Sequence, residues 1–169
     1  MKHFLIAIAL FGLIGCQEQK IGYVDSVKLM DGYQEKMDIE AKYKTRTDSL
    51  TKKRDSISQA FQAEAQAFQS EAQKMSQQKA QEEYGKLQQR GQQIGQQLQM
   101  AEQQMQMQGQ TEMDSLVNKV RKVVREYGED NGYTFILGGG DGGSVLYGEE
   151  DKDLTEDILK VLNEAYKSE

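Results

Sequence analysis

The segment LQQRGQQIGQQLQMAEQQMQMQGQTEMDSLVNKVRKVVREY, residues 87–127, decides the fold. Apolar or small residues recur in it at steps of three and four, which is the spacing of a coiled-coil seam. The seam positions, which include one charged residue, are Leu87, Gly91, Ile94, Leu98, Ala101, Met105, Gly109, Glu112, Leu116, Val120, Val123 and Tyr127. Residues 50–75 repeat a looser version of this pattern, so the two segments predict helices that pack against each other.

Only isolated glycines, and no proline, interrupt the stretch from Tyr33 to Asn131. One helix of that length would far exceed the average of ~11–12 residues, so two antiparallel helices are the simpler interpretation. The midpoint of the stretch places the turn at residues 82–85, where Gly85 suits the left-handed conformation of a helix end. Residues 59–110 hold 20 glutamines in 52 positions, and their small seam residues bury little area. We therefore expect a long arm of marginal stability.

Strand-like segments flank this arm. Residues 20–25 predict one strand, and residues 133–137 and 144–147 predict a hairpin closed by the glycine-rich loop 138–143. Asp153 and Glu156 have the spacing of a capping box for a final helix. Three strands and one helix are too few to fold alone, so we expect copies of the chain to associate through the body strands. The candidate residues for this contact are Ile21, Val24, Phe135, Leu137, Val145 and Tyr147.

The predicted fold class is α+β but mostly α. A long antiparallel helical coiled-coil hairpin is inserted into a small β-strand body. We divide the chain into a signal peptide at 1–15, a cysteine and tether at 16–19, and one unit at 20–169. Within this unit the body strand spans 20–25, the arm 33–131, and the further body strands with the C-terminal helix 132–169.

The amino-terminal segment is typical of a bacterial targeting signal. Lys2 and His3 precede an apolar run at 4–14, which is too short for the ~20 residues of a spanning helix and fits a secretory signal. Leu13-Ile14-Gly15-Cys16 resembles the lipobox of bacterial lipoproteins, which implies cleavage before Cys16 and its acylation. We predict a periplasmic protein anchored by lipid to the outer or inner membrane. The alternatives are a plain signal peptide with a chance cysteine, or a buried apolar segment.

Charge argues against nucleic-acid binding. Without residues 1–15 the chain has 20 basic and 27 acidic residues, a net charge of −7, and residues 33–131 are neutral with 15 of each sign. A nucleic-acid surface needs a basic stripe to displace counterions, and the sequence contains no such stripe.

Three further patterns predict no catalytic, cofactor or metal site. Residues 138–143, GGGDGG, match G-x-G-x-x-G but precede strand-like residues, whereas a dinucleotide site needs a helix there. The acidic residues at 149–157 lack the ligand spacing of a calcium loop. His3, the only histidine, leaves with the signal peptide, and no carboxylate pair lies in an apolar setting that would shift a pKa. We therefore predict that the protein is not an enzyme.

The order of these parts resembles the Skp/OmpH family of periplasmic chaperones. The resemblance rests on KIGYVD at 20–25, Tyr33, GYTFIL at 132–137, VLY at 145–147, and DLT at 153–155 followed by Ile158, Leu159 and Leu162. It implies a jellyfish-shaped homotrimer whose arms hold unfolded outer-membrane proteins without ATP. The best-known members are basic and soluble, whereas this chain is acidic and would be tethered.

Adaptable apolar side chains on the arms are the predicted contacts with unfolded proteins, because methionine is unbranched and polarisable. The candidates are Phe61, Phe68, Met75, Met100, Met105 and Met107. The alternative function is a structural coiled-coil lipoprotein that spaces membranes or docks one folded partner. The glycine-interrupted seam favours the chaperone, because a rigid spacer would have fuller seam positions.

Overall fold

The computed structural model describes residues 19–168, so the predicted signal peptide and lipidation site, Cys16, lie outside the described residues. The elements are β1 (Ile21–Asp25), α1 (Ser26–Gly32), α2 (Gln34–Ala72), α3 (Gln77–Asp130), β2 (Phe135–Gly139), a 3₁₀ helix (Glu150–Lys152) and α4 (Thr155–Lys167). None of the described helices is long and apolar enough to cross a membrane. The predicted fold class is confirmed, because two long antiparallel helices are inserted between the strands of a small sheet.

The described chain divides into two compact units, which we treat separately. The arm unit comprises residues 33–121 and 165–168, and the body unit comprises residues 19–32 and 122–164. The long helix α3 contributes its first part to the arm unit and its last nine residues to the body unit.

The turn of the arm lies at residues 73–76, so the predicted position at 82–85 is wrong. The midpoint estimate assumed helices of equal length, but α2 has 39 residues and α3 has 54. Gly85 is an ordinary helical residue, since it is absent from the described residues with positive φ. Ser76 caps α3 instead, because its hydroxyl accepts a hydrogen bond from the Lys79 amide at 3.4 Å.

Polar pairs hold the two arm helices in one antiparallel register. Lys119 lies 2.8 Å from Glu35, Lys42 2.7 Å from Glu112, and Arg90 2.7 Å from Glu64. A longer contact of 3.8 Å joins Arg54 to Glu102. From Glu35 through Lys42 to Glu64, each step along α2 is matched by an equal step back along α3, as antiparallel helices joined by the turn at 73–76 require. Because exposed ion pairs are each worth only ~0–1 kcal/mol, they specify the register more than they stabilise it.

Glu112, the charged exception in the predicted seam, has a partner there. Lys42 donates to both of its carboxylate oxygens at 2.7 Å. This hydrogen bond holds the pKa of Glu112 below its usual value. Glu112 therefore helps to fix the register of the two helices and does not interrupt the coiled coil.

Little of the arm is buried. No residue of α2 is fully buried, and the buried apolar side chains of the arm unit are Tyr33, Leu116 and Val120, at the end of the arm far from the turn. The middle and tip of the arm have only half-buried seam residues, so they gain little of the ~25 cal/mol per Å² that buried apolar area supplies. This agrees with the expected marginal stability.

Tyr33 anchors the end of the arm that is far from the turn. Its ring is fully buried and meets the ring of Tyr166 edge-on, with 6.4 Å between centroids. The Tyr33 hydroxyl donates to Glu35, which also pairs with Lys119. Burial, followed by the Glu35 carboxylate, raises the pKa of Tyr33 well above its usual value. The Tyr166 hydroxyl donates to Asp38 at 3.0 Å, so the last residues of α4 belong to this cluster.

The body unit is built on two parallel strands. β1 pairs with β2 from Ile21 opposite Phe135 to Asp25 opposite Gly139. The buried side chains of this unit come from β1, α1 and the start and middle of α4, and they are Val24, Leu29, Leu154, Thr155, Ile158 and Leu162. Leu154, just before α4, lies against Gly22 of β1, and Leu159 of α4 lies against Gly32 of α1. Such contacts supply part of the apolar cover that a sheet of this size requires.

Aspartate caps lead into both short helices of the body. Asp25 accepts hydrogen bonds at 3.1 Å from the amides of Val27 and Lys28, which begin α1. Asp153 accepts from the Thr155 amide at 2.9 Å, as the predicted cap of α4 requires. The Asp153 amide itself donates to the Glu150 carbonyl at 3.1 Å, so the predicted return bond to Glu156 is wrong. The Thr155 hydroxyl in turn accepts from the Asp25 amide at 2.9 Å, so the end of β1 is tied to the start of α4.

The predicted strand at 144–147, and with it the hairpin, is wrong. Gly140 and Gly142 adopt positive φ values of 81°, and the chain then makes a single parallel bridge between Gly139 and Val145. Leu146 is 99% exposed and Tyr147 86% exposed. A strand needs a hydrogen-bonded neighbour along its length, and these residues have none among those described, so they stay irregular.

Two glycines of α3 predict opposite effects of alanine. A Cβ atom at Gly95 would meet no atom within 4 Å, whereas one at Gly91 would lie 2.9 Å from the Phe61 ring. We expect Gly95→Ala to raise the free energy of unfolding by about 1 kcal/mol, because alanine favours a helix interior over glycine. We expect Gly91→Ala to gain less, because Phe61 must move. Urea unfolding followed by circular dichroism, at one protein concentration, measures both; equal gains would contradict the packing of Phe61.

Tyr33→Phe and Tyr43→Phe form a second matched pair. The Tyr33 hydroxyl is bonded to Glu35, whereas the buried Tyr43 hydroxyl lies near the Glu112 carboxylate but makes no hydrogen bond of good geometry. We expect Tyr33→Phe to lower the free energy of unfolding by about 1–2 kcal/mol, since it removes a hydrogen bond to a charged group. Tyr43→Phe should leave it unchanged or slightly higher, because an unpaired buried hydroxyl is removed. The same urea titration measures both free energies of unfolding. A larger loss in Tyr43→Phe than in Tyr33→Phe would refute this assignment of the two hydroxyls.

Candidate functional site

The two predicted aromatic contacts are used within the arm. The Phe61 ring fills the space beside Gly91 and lines a cleft of about 370 Å³ between the helices, together with Ile57 and Ile94. Phe68 stacks on Tyr84 with 6.2 Å between ring centroids. Both rings therefore stabilise the pairing of α2 with α3 and are only partly accessible to another protein.

Two of the predicted methionines are also half-buried. Met75 lies in the turn between the helices. Met105 is a seam residue of α3, and its sulfur accepts a weak hydrogen bond from the Thr47 hydroxyl at 3.8 Å. These two side chains contribute to the arm's own packing.

Met100 and Met107 are the predicted contact residues that the structure leaves open. Met100 is 60% exposed and Met107 64% exposed. They are seven residues apart, which is two turns, so both lie on one face of α3. With about 100° between successive residues, this face points roughly away from the seam residues Leu98, Ala101 and Met105. We call Met100 and Met107 the methionine face.

Two further exposed apolar side chains on the arm were not among the predicted contacts. They are Met37, near the start of α2, and Tyr84, which stacks on Phe68 and still exposes half of its surface. Met37 lies outside the seam pattern that residues 50–75 show for α2. This position off the seam is the sequence signal that could have identified Met37 as an exposed residue. The arm thus presents sparse apolar groups on a surface of glutamine and charge.

The six residues predicted for the contact between copies divide into three groups. Val24 is buried in the body, and Val145 is half-buried. The other four are exposed: Ile21, Phe135, Leu137 and Tyr147. Leu146, which the sequence did not single out, is the most exposed of all. Residues 21–23, 137 and 144–148 line an open, mainly apolar cleft of about 550 Å³.

The two motifs rejected from sequence take non-ligand roles in the described chain. The loop 138–143 is closed by a hydrogen bond from the Gly143 amide to the Gly140 carbonyl at 3.0 Å, and no helix follows it directly. Among the acidic residues, Asp153 caps α4 and Asp151 pairs with Lys152 at 2.8 Å. Within residues 19–168 no group of His, Cys, Asp and Glu is arranged to hold a metal ion.

Most of the chain is similar to known proteins in sequence or in fold. The family model described as outer membrane protein (OmpH-like) matches residues 20–162. No curated protein matches the sequence. The fold matches a crystal structure described as an OmpH-like outer membrane chaperone from Caulobacter crescentus CB15, with a TM-score of 0.76 over 91% of this chain and 89% of that one. At 13% identity, that match shows a shared fold.

The family match agrees with the order of elements on which the Skp/OmpH resemblance was based. It extends from the strand β1 through both arm helices, β2 and most of α4. Since it covers far more than half of the sequence, the chain belongs to the OmpH-like outer membrane protein family.

Proposed function

We propose that this protein is an ATP-independent holdase chaperone of the periplasm, which binds unfolded outer-membrane proteins and is tethered to a membrane by lipid at Cys16. The observation that carries the proposal is the surface of the arm. Met100, Met107 and Tyr84 are exposed on a helix whose surface is otherwise mainly glutamine and charge, within a hairpin that has almost no core. Membership of the OmpH-like family supports a chaperone role.

Such a surface suits partners that have no fixed shape. Unbranched methionine side chains adapt to irregular apolar surfaces, and scattered contacts let a bound chain leave again. A fixed pocket would select one folded ligand instead. The weakly packed arm also adapts at little cost, because it contains few buried side chains that bending would disturb.

Long-range electrostatic attraction contributes little in this proposal. The arm carries equal numbers of acidic and basic residues, and several of its charges are used in the cross-helix pairs Glu35–Lys119, Lys42–Glu112 and Glu64–Arg90. Basic members of the family differ in this respect. We therefore assign capture of the unfolded chain mainly to apolar contact.

Association of three copies through the body completes the proposed assembly. The exposed side chains of Ile21, Leu137 and Tyr147 line an apolar cleft, and Phe135 is exposed on the same small sheet. A two-stranded sheet that exposes this much apolar surface gains stability when another chain covers it. Three arms around one client would also multiply weak contacts.

The second candidate is the structural coiled-coil lipoprotein. The four cross-helix ion pairs favour it, because they fix the register of the helices along most of the arm. A spacer of this kind would bind one folded partner and would not recognise unfolded chains.

Aggregation suppression separates the two candidates. We expect residues 17–169 to suppress light scattering from a denatured β-barrel membrane protein diluted into buffer without nucleotide, and the effect to saturate near three protomers per client. The double variant Met100→Ser, Met107→Ser should need about fivefold more protein, because two apolar contacts are lost. Sedimentation of the same samples gives the number of protomers.

The matched control is Gln99→Ser, Gln106→Ser, which changes two exposed residues of the same helix at the same spacing. It should suppress aggregation as the unmodified protein does. A folded protein that fails to suppress at large excess would favour the structural lipoprotein. Equal losses in the two double variants would remove the methionine face from the proposal.

Lipidation is tested in the full-length chain. Expressed in a Gram-negative host with an alkyne-labelled fatty acid, the protein should incorporate the label and sediment with membranes. Cys16→Ser should abolish the label, because the acylated sulfur is lost. Cleavage elsewhere in the signal, with no label, would refute the anchor.

A further inference from the structure

The exposed apolar surface of the arm is made largely of thioethers. Its exposed large apolar side chains are Met37, Tyr84, Met100 and Met107, so three of the four contain sulfur. Residues 19–168 contain no cysteine. Methionine is therefore the side chain there that peroxides oxidise most readily.

We propose that Met100 and Met107 form an oxidation-sensitive contact site, at which hydrogen peroxide converts each thioether to a sulfoxide and weakens the binding of unfolded chains. The inference rests on the proposed chaperone function and assigns a regulation to the same surface. It follows from the position and exposure of the two sulfurs on α3.

The chemical step is an oxygen transfer. A lone pair of the methionine sulfur attacks one peroxide oxygen, so a sulfur–oxygen bond forms and the oxygen–oxygen bond breaks. The sulfur loses two electrons and the peroxide gains them. The released hydroxide then takes the proton from the oxygen now bound to sulfur, which gives water and the sulfoxide. The product side chain is polar and chiral, and methionine sulfoxide reductases reverse the step.

Exposure sets the order in which the methionines of α3 react. Met100 and Met107 are 60% and 64% exposed. Met105 and Met113 on the same helix are half-buried, and the Met105 sulfur also contacts Thr47. The two open residues should therefore react before the two half-buried ones.

Oxidation of the methionine face leaves the arm itself intact. Met100 and Met107 point roughly away from the seam, and neither takes part in the cross-helix pairs that fix the register. The polar sulfoxide groups then lie in solvent, where they disturb no packing. The expected change is a loss of affinity for apolar partners without unfolding of the helices.

The test uses the full mature chain in phospholipid nanodiscs and a fluorescently labelled, denatured β-barrel membrane protein. Anisotropy gives Kd before and after hydrogen peroxide, mass spectrometry of peptides gives the oxidised residues, and circular dichroism gives the helix content. When Met100 and Met107 carry one oxygen each, we expect Kd to rise about tenfold at constant helix content. Methionine sulfoxide reductases A and B with a thiol reductant should restore it.

Two matched variants locate the effect. Met100→Leu, Met107→Leu keeps apolar side chains that cannot be oxidised there, so its Kd after peroxide should equal its own Kd before peroxide. Met105→Leu, Met113→Leu removes two half-buried methionines of the same helix and should remain as sensitive as the unmodified chain. Met37 is kept in all proteins.

Binding that survives oxidation of both residues, an equal peroxide effect in the Met100→Leu, Met107→Leu variant, or earlier oxidation of Met105 than of Met100 would overturn this inference while leaving the chaperone proposal standing. A protein that binds no unfolded chain before peroxide would overturn the proposed function, and the inference with it.

Discussion

The parallel pairing of β1 with β2 is the constraint on which the rest of the chain depends. It makes neighbours of two strands that are separated by 109 residues, from Ser26 to Thr134. Parallel neighbours require a crossover, and here that crossover contains both long helices. Because β1 and β2 are neighbours, the distance that the chain covers along α2 must be covered in the opposite direction along α3. An antiparallel pair of helices is therefore the direct consequence of the sheet. The cross-helix contacts then fix which residue of α2 lies opposite which residue of α3.

The sequence predicted the class of the fold because periodicity and composition act over long segments. The local errors have equally local causes. The predicted position of the turn is wrong because the midpoint assumes helices of equal length and because a glycine, Gly85, lies near that midpoint. In the structure Ser76 caps α3, and the turn contains no glycine. The strand at 144–147 failed because alternation in one sequence says nothing about the neighbour that a strand needs. Leu146 and Tyr147 have no such neighbour within the described chain.

The candidate contact residues show the same limit on a finer scale. Residue type alone placed Phe61, Met105 and Met107 together as contacts, although the first two pack within the hairpin and the third faces solvent. Helical phase separates them, since Met105 lies on the seam and Met107 does not. The arm thus divides its chemistry between two faces. Charged and aromatic side chains join the helices, while the thioethers of Met100 and Met107 lie on the outside of α3.

The strict register of the arm also determines how its length can change. Pairs of residues on α2 and α3 lie opposite each other along the arm, from Glu35 with Lys119 to Phe68 with Tyr84. An insertion in one helix alone would move every contact between that point and the turn out of phase. Matched insertions of seven residues in both helices would preserve the seam and the ion pairs. The reach of the arm, about 10 Å per added heptad, is therefore a property that can vary between relatives in discrete paired steps while the sheet stays unchanged.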